Sequence, residues 1–155
     1  MVTESSIELV LKEARGHIGY KEGANNNNIF AGYAAHPNHQ PWCATFIVSC
    51  FKRAGALAAI KNSASCIEIY KWGKQKKALI DYTEAQRGDL ILMDFTGSGI
   101  PQHIGIASKD WDGRQIETIE GNTGDASQTN GDGVARKKRQ SQYIFAVIRP
   151  LWSNS

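Results

Sequence analysis

The residues of this chain that can carry covalent chemistry are its cysteines and histidines. There are three cysteines, and an odd number in a chain with ample apolar residues argues against a disulfide scaffold and leaves at least one thiol free. A cysteine thiolate attacks carbonyl carbons, and a neighbouring imidazole can take the thiol proton. A cysteine and a histidine that meet in the fold would therefore form a nucleophile and its base.

Cys43 stands at the start of a helical pattern in the segment CATFIVSCFKRAG. Gly55 is placed to end this helix, and an apolar stripe recurs at helical spacing at Ala44, Ile47, Val48 and Phe51. At the first residue of a buried helix, the helix dipole lowers a thiol pKa, and the unpaired backbone N–H can bind an oxyanion. We therefore predict that Cys43 is a nucleophile. The other cysteines fall inside helical stretches beside apolar residues and are expected to be buried packing residues: Cys50 and Cys66.

His103 is the histidine best placed to act as the base. It opens the strand pattern HIGIA, whose alternation puts His103, Gly105 and Ala107 on one face. The isoleucines of the same strand, Ile104 and Ile106, point to the other face. Small residues beside the imidazole would leave room for a helix that carries the nucleophile, whereas the alternative for a histidine at a strand end is a solvated side chain. The remaining histidines lie just beyond the first helix or in a loop rich in Pro and Asn: His17, His36 and His39.

A catalytic imidazole also needs an acceptor on its second nitrogen, which fixes the tautomer and stabilises the cation. In the strand pattern IETIEGN, Thr118, Glu120 and Asn122 lie two residues apart and therefore share a face. Glu120 or Asn122 would reach His103 if the two strands are antiparallel neighbours, which depends on a register that the sequence leaves open. Taken alone, Glu120 would be an ordinary surface carboxylate.

Helices come first along the chain. The first helix is indicated by a capping-box spacing at Ser5 and Glu8, by an apolar stripe and by a glycine at its end. A polar loop over residues 23–41 leads into the Cys43 helix. A third helix is predicted over residues 65–76.

Strands follow, because after Asp81 the hydrophobic period changes from helical to alternating. They are predicted over residues 89–95, 103–107, 115–120 and 143–148. The polar segment 121–142 is expected to be an excursion from the sheet. Its cations at 136–139 are expected to form a solvated turn and not a nucleic-acid site. The order of elements implies an α+β fold with N-terminal helices packed on one face of an antiparallel β-sheet.

Length and charge limit the alternatives. At 155 residues and 41% hydrophobic, the chain can bury one core, so residues 1–155 are expected to form a single domain. A net charge of +3 is too small to argue for a nucleic-acid partner. The amino terminus, MVTESSIELVLKEAR, carries no signal-peptide or transit-peptide pattern, and no segment approaches the roughly 20 apolar residues of a membrane span.

A set of motifs follows in order along the chain: HIGYKEGANNNN, QPWCATFIVSCFKRAG, RGDLILMDF, PQHIGIAS, IETIEGNTG and FAVIRP. Together they resemble the CHAP domain, the cysteine, histidine-dependent amidohydrolase/peptidase family of phage endolysins and bacterial cell-wall hydrolases. The resemblance extends from about Ile7 to Pro150. It is specific in combination, because a Trp-Cys pair opens a helix, Gly-Asp opens a strand, and a His-Ile-Gly strand and a Glu-Gly-Asn turn follow.

The resemblance implies a papain-like fold and a peptidoglycan hydrolase. By this resemblance Cys43 is the nucleophile and His103 the base, Glu120 orients the imidazole, and Asn122 is a further polar member of the site. The bond cut would be the N-acetylmuramoyl-L-alanine amide or a peptide bond of the stem or cross-bridge. The alternatives are a non-catalytic cell-wall-binding module and a cysteine peptidase that acts on proteins.

The expected partner is bacterial peptidoglycan, with no nucleic acid and no membrane insertion, and the protein is expected to be a monomer. It would be made in the cytoplasm and would act on the bacterial cell wall. Since no signal peptide is recognised, a phage holin or an equivalent route would release it. The tail at residues 151–155 is expected to begin a linker.

No cofactor or metal is expected. Some phage members of the family carry calcium in an acidic loop before the cysteine, but here that loop, residues 25–42, holds no carboxylate. A zinc site of His36, His39 and Cys43 would lack a fourth ligand. Three aromatic residues are expected to line a substrate groove beside the thiol, with ordinary core packing as the alternative: Tyr33, Trp42 and Phe95.

Overall fold

The computed structural model describes residues 2–124 and 131–154 of the chain. Within them the helices are α1 (Val2–Gly16), α2 (Ile29–Ala34), α3 (Cys43–Arg53) and α4 (Cys66–Gln75). The strands are β1 (Leu79–Ile80), β2 (Leu90–Met93), β3 (His103–Ala107), β4 (Gln115–Thr123), β5 (Gly133–Gln140) and β6 (Ile144–Ile148). None of the described helices is long and apolar enough to cross a membrane.

The strands form one antiparallel sheet in the order β1-β6-β2-β3-β4-β5. The main core lies between this sheet and the helices, and it joins Phe46 and Ile47 of α3 to Ile104, Ile106 and Ile119 of the sheet. The other face carries a smaller apolar cluster: Ala85, Ile91, Met93, Ala107, Ile116 and Val147. The fold is therefore α+β with helices packed on an antiparallel sheet, which confirms the prediction.

Local signals predicted the helix ends that matter for the site. Cys43 is the first residue of α3, and Gly55 follows the end of that helix in the left-handed region at φ 78°. Ser65 caps α4, because its hydroxyl accepts the Glu68 backbone N–H at 3.2 Å. The predicted start of the first helix is wrong, since α1 already includes Ser5. The acidic residue just before it also suits the positive end of a helix, so the helix begins earlier.

A short helix, α2, interrupts the loop predicted before Cys43. Asn28 caps it by accepting the Ala31 N–H at 2.9 Å. Phe30 of this helix stacks on Trp42 with ring centroids 5.3 Å apart, which anchors the residue that precedes Cys43. The helix escaped prediction because its 6 residues are too few to show helical periodicity.

The predicted excursion over residues 121–142 is wrong, because most of its described residues belong to the paired strands β4 and β5. β4 continues to Thr123 and pairs with β5, and the cations at 136–139 lie on β5 and not in a turn. As an edge strand, β5 carries charged side chains and lacks the apolar alternation from which strands are predicted. Within this segment the structure describes all residues except 125–130.

The carboxyl-terminal residues pack on the domain as far as Trp152. The Trp152 ring is buried and stacks on Phe51 of α3, with centroids 5.3 Å apart. Just before it, the Leu151 N–H donates to the Ala59 carbonyl at 2.9 Å. Leu151 and Trp152 are thus held by Ala59 and Phe51 of the domain.

Candidate active site

Cys43 lies at the amino-terminal end of α3, with 7% of its surface exposed. The first hydrogen bond of this helix runs from the Phe46 N–H to the Trp42 carbonyl at 2.9 Å, so the N–H groups of the residues between them have no backbone partner within the helix. The Ala44 N–H acts on the Cys43 sulfur and helps to lower the pKa of the thiol. A thiolate here would face the positive end of the helix dipole.

His103, the first residue of β3, bonds to Glu120 of β4. His103 Nε2 lies 2.9 Å from Glu120 Oε1, and neither side chain has any exposed surface. The contact forms because β3 and β4 are antiparallel neighbours with Ile106 opposite Ile119, which puts residue 105 opposite Glu120. His103 lies two residues before position 105 on the same face of β3, so its side chain reaches Glu120 diagonally. Of the two acceptors that the sequence left open, Glu120 is the one that bonds to the imidazole.

Asn122 lies buried on β4, two positions after Glu120. Its backbone is left-handed, with φ 54°, a conformation that Asn adopts more readily than most residues. It stands where the β4–β5 pairing shifts register, between Glu120 and Thr123. The backbone alone therefore favours Asn at this position.

Glycines set the spacing around the site, although not in the way the sequence predicts. Gly105 was expected to admit the helix, but a Cβ there would lie 2.7 Å from Glu120 Cγ, so this glycine makes room for the carboxylate. The helix approaches at Gly121, where a Cβ would lie 2.5 Å from Phe46 Cβ. The prediction is wrong because α3 packs on the face of β3 that carries its isoleucines.

Arg139, which the sequence analysis placed in a solvated turn, binds Glu120 inside the domain. Its guanidinium donates from Nε to Oε2 at 2.9 Å and from Nη2 to Oε1 at 2.6 Å. Thr118 Oγ1 donates to Oε2 at 2.6 Å. Arg139 has 7% of its surface exposed and lies over the Phe95 ring, 4.9 Å from its centroid. The carboxylate is thus held by a buried cation on one side and by the imidazole on the other.

No strong local signal points to Arg139. Its Cα lies opposite Ile116, so only the length of the side chain lets the guanidinium reach Glu120. The run of cations does carry one signal that was overlooked. In a strand its members alternate between the two faces, so some of them must point toward the same side as Glu120.

The charges of His103 and Glu120 reinforce each other. Burial would lower the pKa of His103, but the charge of Glu120, its hydrogen bond with Nε2 and the neighbouring Cys43 sulfur outweigh burial and raise the pKa to about 9. Burial would raise the pKa of Glu120, but the hydrogen bond from Arg139 and the charge of His103 lower it to about 2. Imidazolium and carboxylate are therefore the favoured states at neutral pH.

The pKa of Cys43 lies well below its ordinary value. The hydrogen bond with Cys66 contributes most, and the positive charge of the neighbouring His103 adds to it against the opposing effect of burial. Because Glu120 occupies Nε2 of His103, Nδ1, a buried atom with no hydrogen-bond partner in the described structure, is the nitrogen left for the sulfur. The arrangement favours a thiolate–imidazolium pair between Cys43 and His103.

Cys66 contacts the Cys43 sulfur, which the sequence did not predict. It is the first residue of α4, and the two Sγ atoms lie 3.9 Å apart. The hydrogen bond to Cys43 and burial raise the pKa of Cys66 well above its ordinary value. The overlooked signal is the capping-box spacing of Ser65 and Glu68, which places Cys66 at a helix start. Cys50, in contrast, is buried inside α3 as predicted, and burial raises its pKa.

Two of the aromatic residues expected to line a groove lie at different depths. The Phe95 ring centroid is 6.0 Å from that of His103, so this residue touches the cluster. Trp42 has no exposed surface, stacks on Phe30 and donates from Nε1 to Glu22 at 2.8 Å. Core packing, the alternative, therefore describes Trp42.

Tyr33, the third of these aromatic residues, lies away from the cluster. The Arg53 guanidinium stacks on its ring, 4.1 Å from the centroid. Arg53 is the last residue of α3, and the rise of a helix puts it about 15 Å along the axis from Cys43. Tyr33 therefore does not line a groove beside the thiol in this structure.

The histidines of the loop before α3 are engaged by polar neighbours. His36 uses both ring nitrogens, on Thr45 at 2.9 Å and on Asn62 at 2.7 Å. His39 bonds to the Asn25 carbonyl through Nδ1 at 3.0 Å. Across residues 2–124 and 131–154, no group of three His, Cys, Asp or Glu side chains is arranged to hold a metal ion.

Known proteins resemble this chain in sequence pattern and in fold. The family model of the CHAP domain matches residues 35–122, a range that contains Cys43, His103, Glu120 and Asn122. Among solved structures, the crystal structure of a wild-type endolysin, LysIME-EF1, is similar with a TM-score of 0.55 and 18% identity, over 93% of this chain and 63% of that chain. No curated protein matches the chain.

The two likenesses carry different weight. At 18% identity the endolysin shows a common fold, and this chain spans less than two thirds of that protein's length. The family model covers more than half of the present chain. The chain therefore belongs to the CHAP domain family.

Proposed function

We propose that this protein is a peptidoglycan hydrolase that cuts an amide bond, with Cys43 as nucleophile and His103 as base. The observation that carries the proposal is the fully buried hydrogen bond between His103 and Glu120, at 2.9 Å, next to a thiol whose pKa is lowered. Ordinary packing requires neither a charged imidazole nor a thiolate, whereas a cysteine hydrolase needs both. Membership of the CHAP family supports the same class of reaction.

In the first half of the reaction, the Cys43 thiolate attacks the amide carbonyl carbon. Backbone N–H groups at the start of α3, which have no backbone partner within the helix, hold the oxyanion. His103 donates its Nδ1 proton to the leaving nitrogen while Nε2 stays on Glu120. The amine departs, and the acyl group remains on the sulfur as a thioester.

In the second half, water takes the place of the amine. Neutral His103 accepts a proton from water at Nδ1, and the oxygen attacks the thioester carbonyl. The Cys43 sulfur leaves as a thiolate, and the thiolate–imidazolium pair is restored. Glu120 stays ionised throughout, because its pKa is about 2.

Arg139 acts in this proposal as a positioning residue. Its hydrogen bonds engage both oxygens of Glu120, which fixes the carboxylate in the orientation that presents Oε1 to His103. A guanidinium does not give up its proton, so it stabilises the ionised carboxylate without competing for the role of acid. Thr118 supports the second oxygen.

The proposed substrate is peptidoglycan, in which one amide bond is cut. The support is the CHAP family membership, together with a fold similar to that of a protein named as an endolysin. The bond is the N-acetylmuramoyl-L-alanine amide or a peptide bond of the stem or cross-bridge. Both present the same carbonyl and leaving nitrogen to Cys43 and His103, so the chemistry of the cluster serves either.

Mass spectrometry of the fragments released from purified peptidoglycan tests this proposal. New L-alanine amino termini would identify an amidase, and new termini within the stem or bridge an endopeptidase. We expect Cys43→Ala to fold and release no fragments, whereas Cys50→Ala, the matched control in the same helix, should still release them. Equal release by Cys43→Ala and the parent protein would end the assignment of the nucleophile.

The same experiment separates the alternative functions. A parent protein that sediments with the wall but releases nothing would be a binding module. One that digests casein and leaves peptidoglycan intact would be a peptidase of proteins.

A further inference from the structure

Two helices bring their first residues together at the candidate active site. Cys43 begins α3, Cys66 begins α4, and their sulfurs lie 3.9 Å apart although the residues are 23 positions apart in the chain. The two residues are similarly buried, with 7% and 8% of their surfaces exposed. Cys50 is buried in the interior of α3, where burial raises the pKa of its thiol. The proposed nucleophile therefore has a second thiol in direct contact.

We propose that Cys43 and Cys66 form a redox modification site, at which a hydroperoxide converts the two thiols into a disulfide that reversibly blocks Cys43. The sulfur–sulfur bond of a disulfide is about 2.05 Å long, so the sulfurs must approach by roughly 2 Å. Rotation about the Cα–Cβ bonds of both cysteines can share this movement. The effect on activity rests on the proposed function, but formation of the bond does not.

The chemistry requires two successive displacements. The Cys43 thiolate attacks one oxygen of the hydroperoxide, the O–O bond breaks, and Cys43 becomes a sulfenic acid while hydroxide leaves and takes up a proton. The Cys66 sulfur then attacks the Cys43 sulfur, the S–O bond breaks, and the departing hydroxide takes the Cys66 proton. The two thiols lose two electrons and two protons, and hydrogen peroxide is reduced to two molecules of water.

The structure assigns different roles to the two sulfurs. Cys43 interacts with His103 and with the Ala44 N–H, both of which favour its thiolate, so it reacts first with the peroxide. Cys66 keeps its proton beside that thiolate and becomes the attacking group only after Cys43 is oxidised. A neighbouring thiol also protects Cys43, because disulfide formation competes with irreversible oxidation to a sulfinic acid.

Peptide mapping tests whether the bond forms. The purified full-length protein is treated with hydrogen peroxide, quenched with catalase, alkylated, and digested with trypsin and chymotrypsin. Trypsin cuts after Lys52, and chymotryptic cleavage after Phe46 separates Cys43 from Cys50, so the linked partner of Cys66 is identified directly. We expect a Cys43–Cys66 linked peptide that disappears on treatment with dithiothreitol. Cys43 recovered as a sulfinic acid beside an alkylated Cys66 would overturn the proposal.

A second arm measures wall lysis before peroxide, after peroxide, and after dithiothreitol, with each variant compared with its own untreated sample. The parent and Cys50→Ala should lose most of their activity and regain it with dithiothreitol. Cys66→Ser should lose activity without regaining it, and Cys66→Ala replaces it if the serine variant does not fold. Full recovery in both Cys66 variants would overturn the proposal. If the untreated parent does not lyse walls at all, the proposed function fails, and the peptide map still decides the disulfide.

Discussion

Arg139 binds both oxygens of the Glu120 carboxylate inside the domain, through hydrogen bonds of 2.6 and 2.9 Å. Glu120 in turn bonds to His103, and His103 acts on the Cys43 thiol. Charge therefore alternates from guanidinium to carboxylate to imidazolium, and the series ends at Cys43, a thiol whose pKa is lowered. Such a series of buried charges is stable only when it is complete, because removal of one side chain leaves the next one buried without a counter-ion.

Replacement of Arg139, the cation at the end of this series, should change the pKa values of the side chains that follow it. Arg139→Met keeps the apolar length of the side chain but leaves Glu120 without its guanidinium, so the pKa of Glu120 should rise. Glu120 is still ionised at the alkaline pH where His103 titrates, and without the guanidinium its charge acts on the imidazole alone, so the pKa of His103 should rise as well. Loss of one partner of a buried pair costs roughly 3–5 kcal/mol, which chemical unfolding measures. In a pH profile of peptidoglycan release, the alkaline limb should move to higher pH. Lys138→Met, exposed on the same strand, is the matched control, and an unshifted limb in Arg139→Met would contradict the positioning role.

Alkylation should distinguish Cys43 from the other two thiols. The pKa of Cys43 is lowered, whereas those of Cys50 and Cys66 are raised well above the ordinary value. Iodoacetamide at mildly acidic pH should therefore modify Cys43 first, as followed by mass spectrometry of the digested protein. His103→Ala should slow this modification, because it removes the positive charge beside the sulfur. Equal rates at all three cysteines would show that no thiolate is stabilised.

Glu120 should contribute stability that depends on pH in the acid range. Its pKa is lowered from 4.5 to about 2 in the folded protein, so its contribution is fully present above about pH 4.5 and is lost as the pH falls through about 2. The difference in unfolding free energy between the parent and Glu120→Gln should shrink across this window, as measured by urea unfolding at several pH values. Glu68→Gln, exposed on α4, serves as the control, and a difference independent of pH would refute the charged state of Glu120.

Glycine substitutions should separate packing from chemistry. Gly121→Ala would press a methyl group into Phe46, and such overpacking costs typically about 1–3 kcal/mol. Gly105→Ala would displace Glu120 instead, so its activity should fall by more than its loss of stability explains. Gly32, inside α2 with nothing within 4 Å of an added Cβ, is the control, and alanine there should stabilise by about 0.5–1 kcal/mol. Thermal unfolding and lysis assays compare all three variants, and equal stability of the Gly121 and Gly32 variants would contradict the close packing of α3.

The parts of the site with local signals could be predicted from the sequence. Cys43 is marked by an apolar stripe that begins beside it, and His103 by a strand whose alternation is visible in five residues. Glu120 needed one further assumption, that two strands close in the chain are antiparallel neighbours, and this pairing is found. The fold class followed from the same periodicities.

The remaining parts of the site depend on tertiary contacts, which leave no hydrophobic periodicity in the sequence. Arg139 lies on an edge strand without an apolar face, so neither the strand nor the burial of its side chain could be recognised. The contact of Cys66 with Cys43 depends on how the starts of two helices converge, which is a property of tertiary packing. Gly105 and Gly121 were distinguishable only after the face of the sheet that meets α3 was known.

The strand that carries Arg139 is the outermost of the sheet. Among the described strands it pairs with β4 alone, and its first two residues also bond to residues 19–21, well before Arg139. Rim strands open more readily than central ones, because fewer neighbours hold them. A brief detachment of β5 would move the Arg139 guanidinium away from Glu120 and stop catalysis while the core remains folded. On heating, the protein should therefore lose activity through local unfolding of β5 at a lower temperature than that at which the core unfolds.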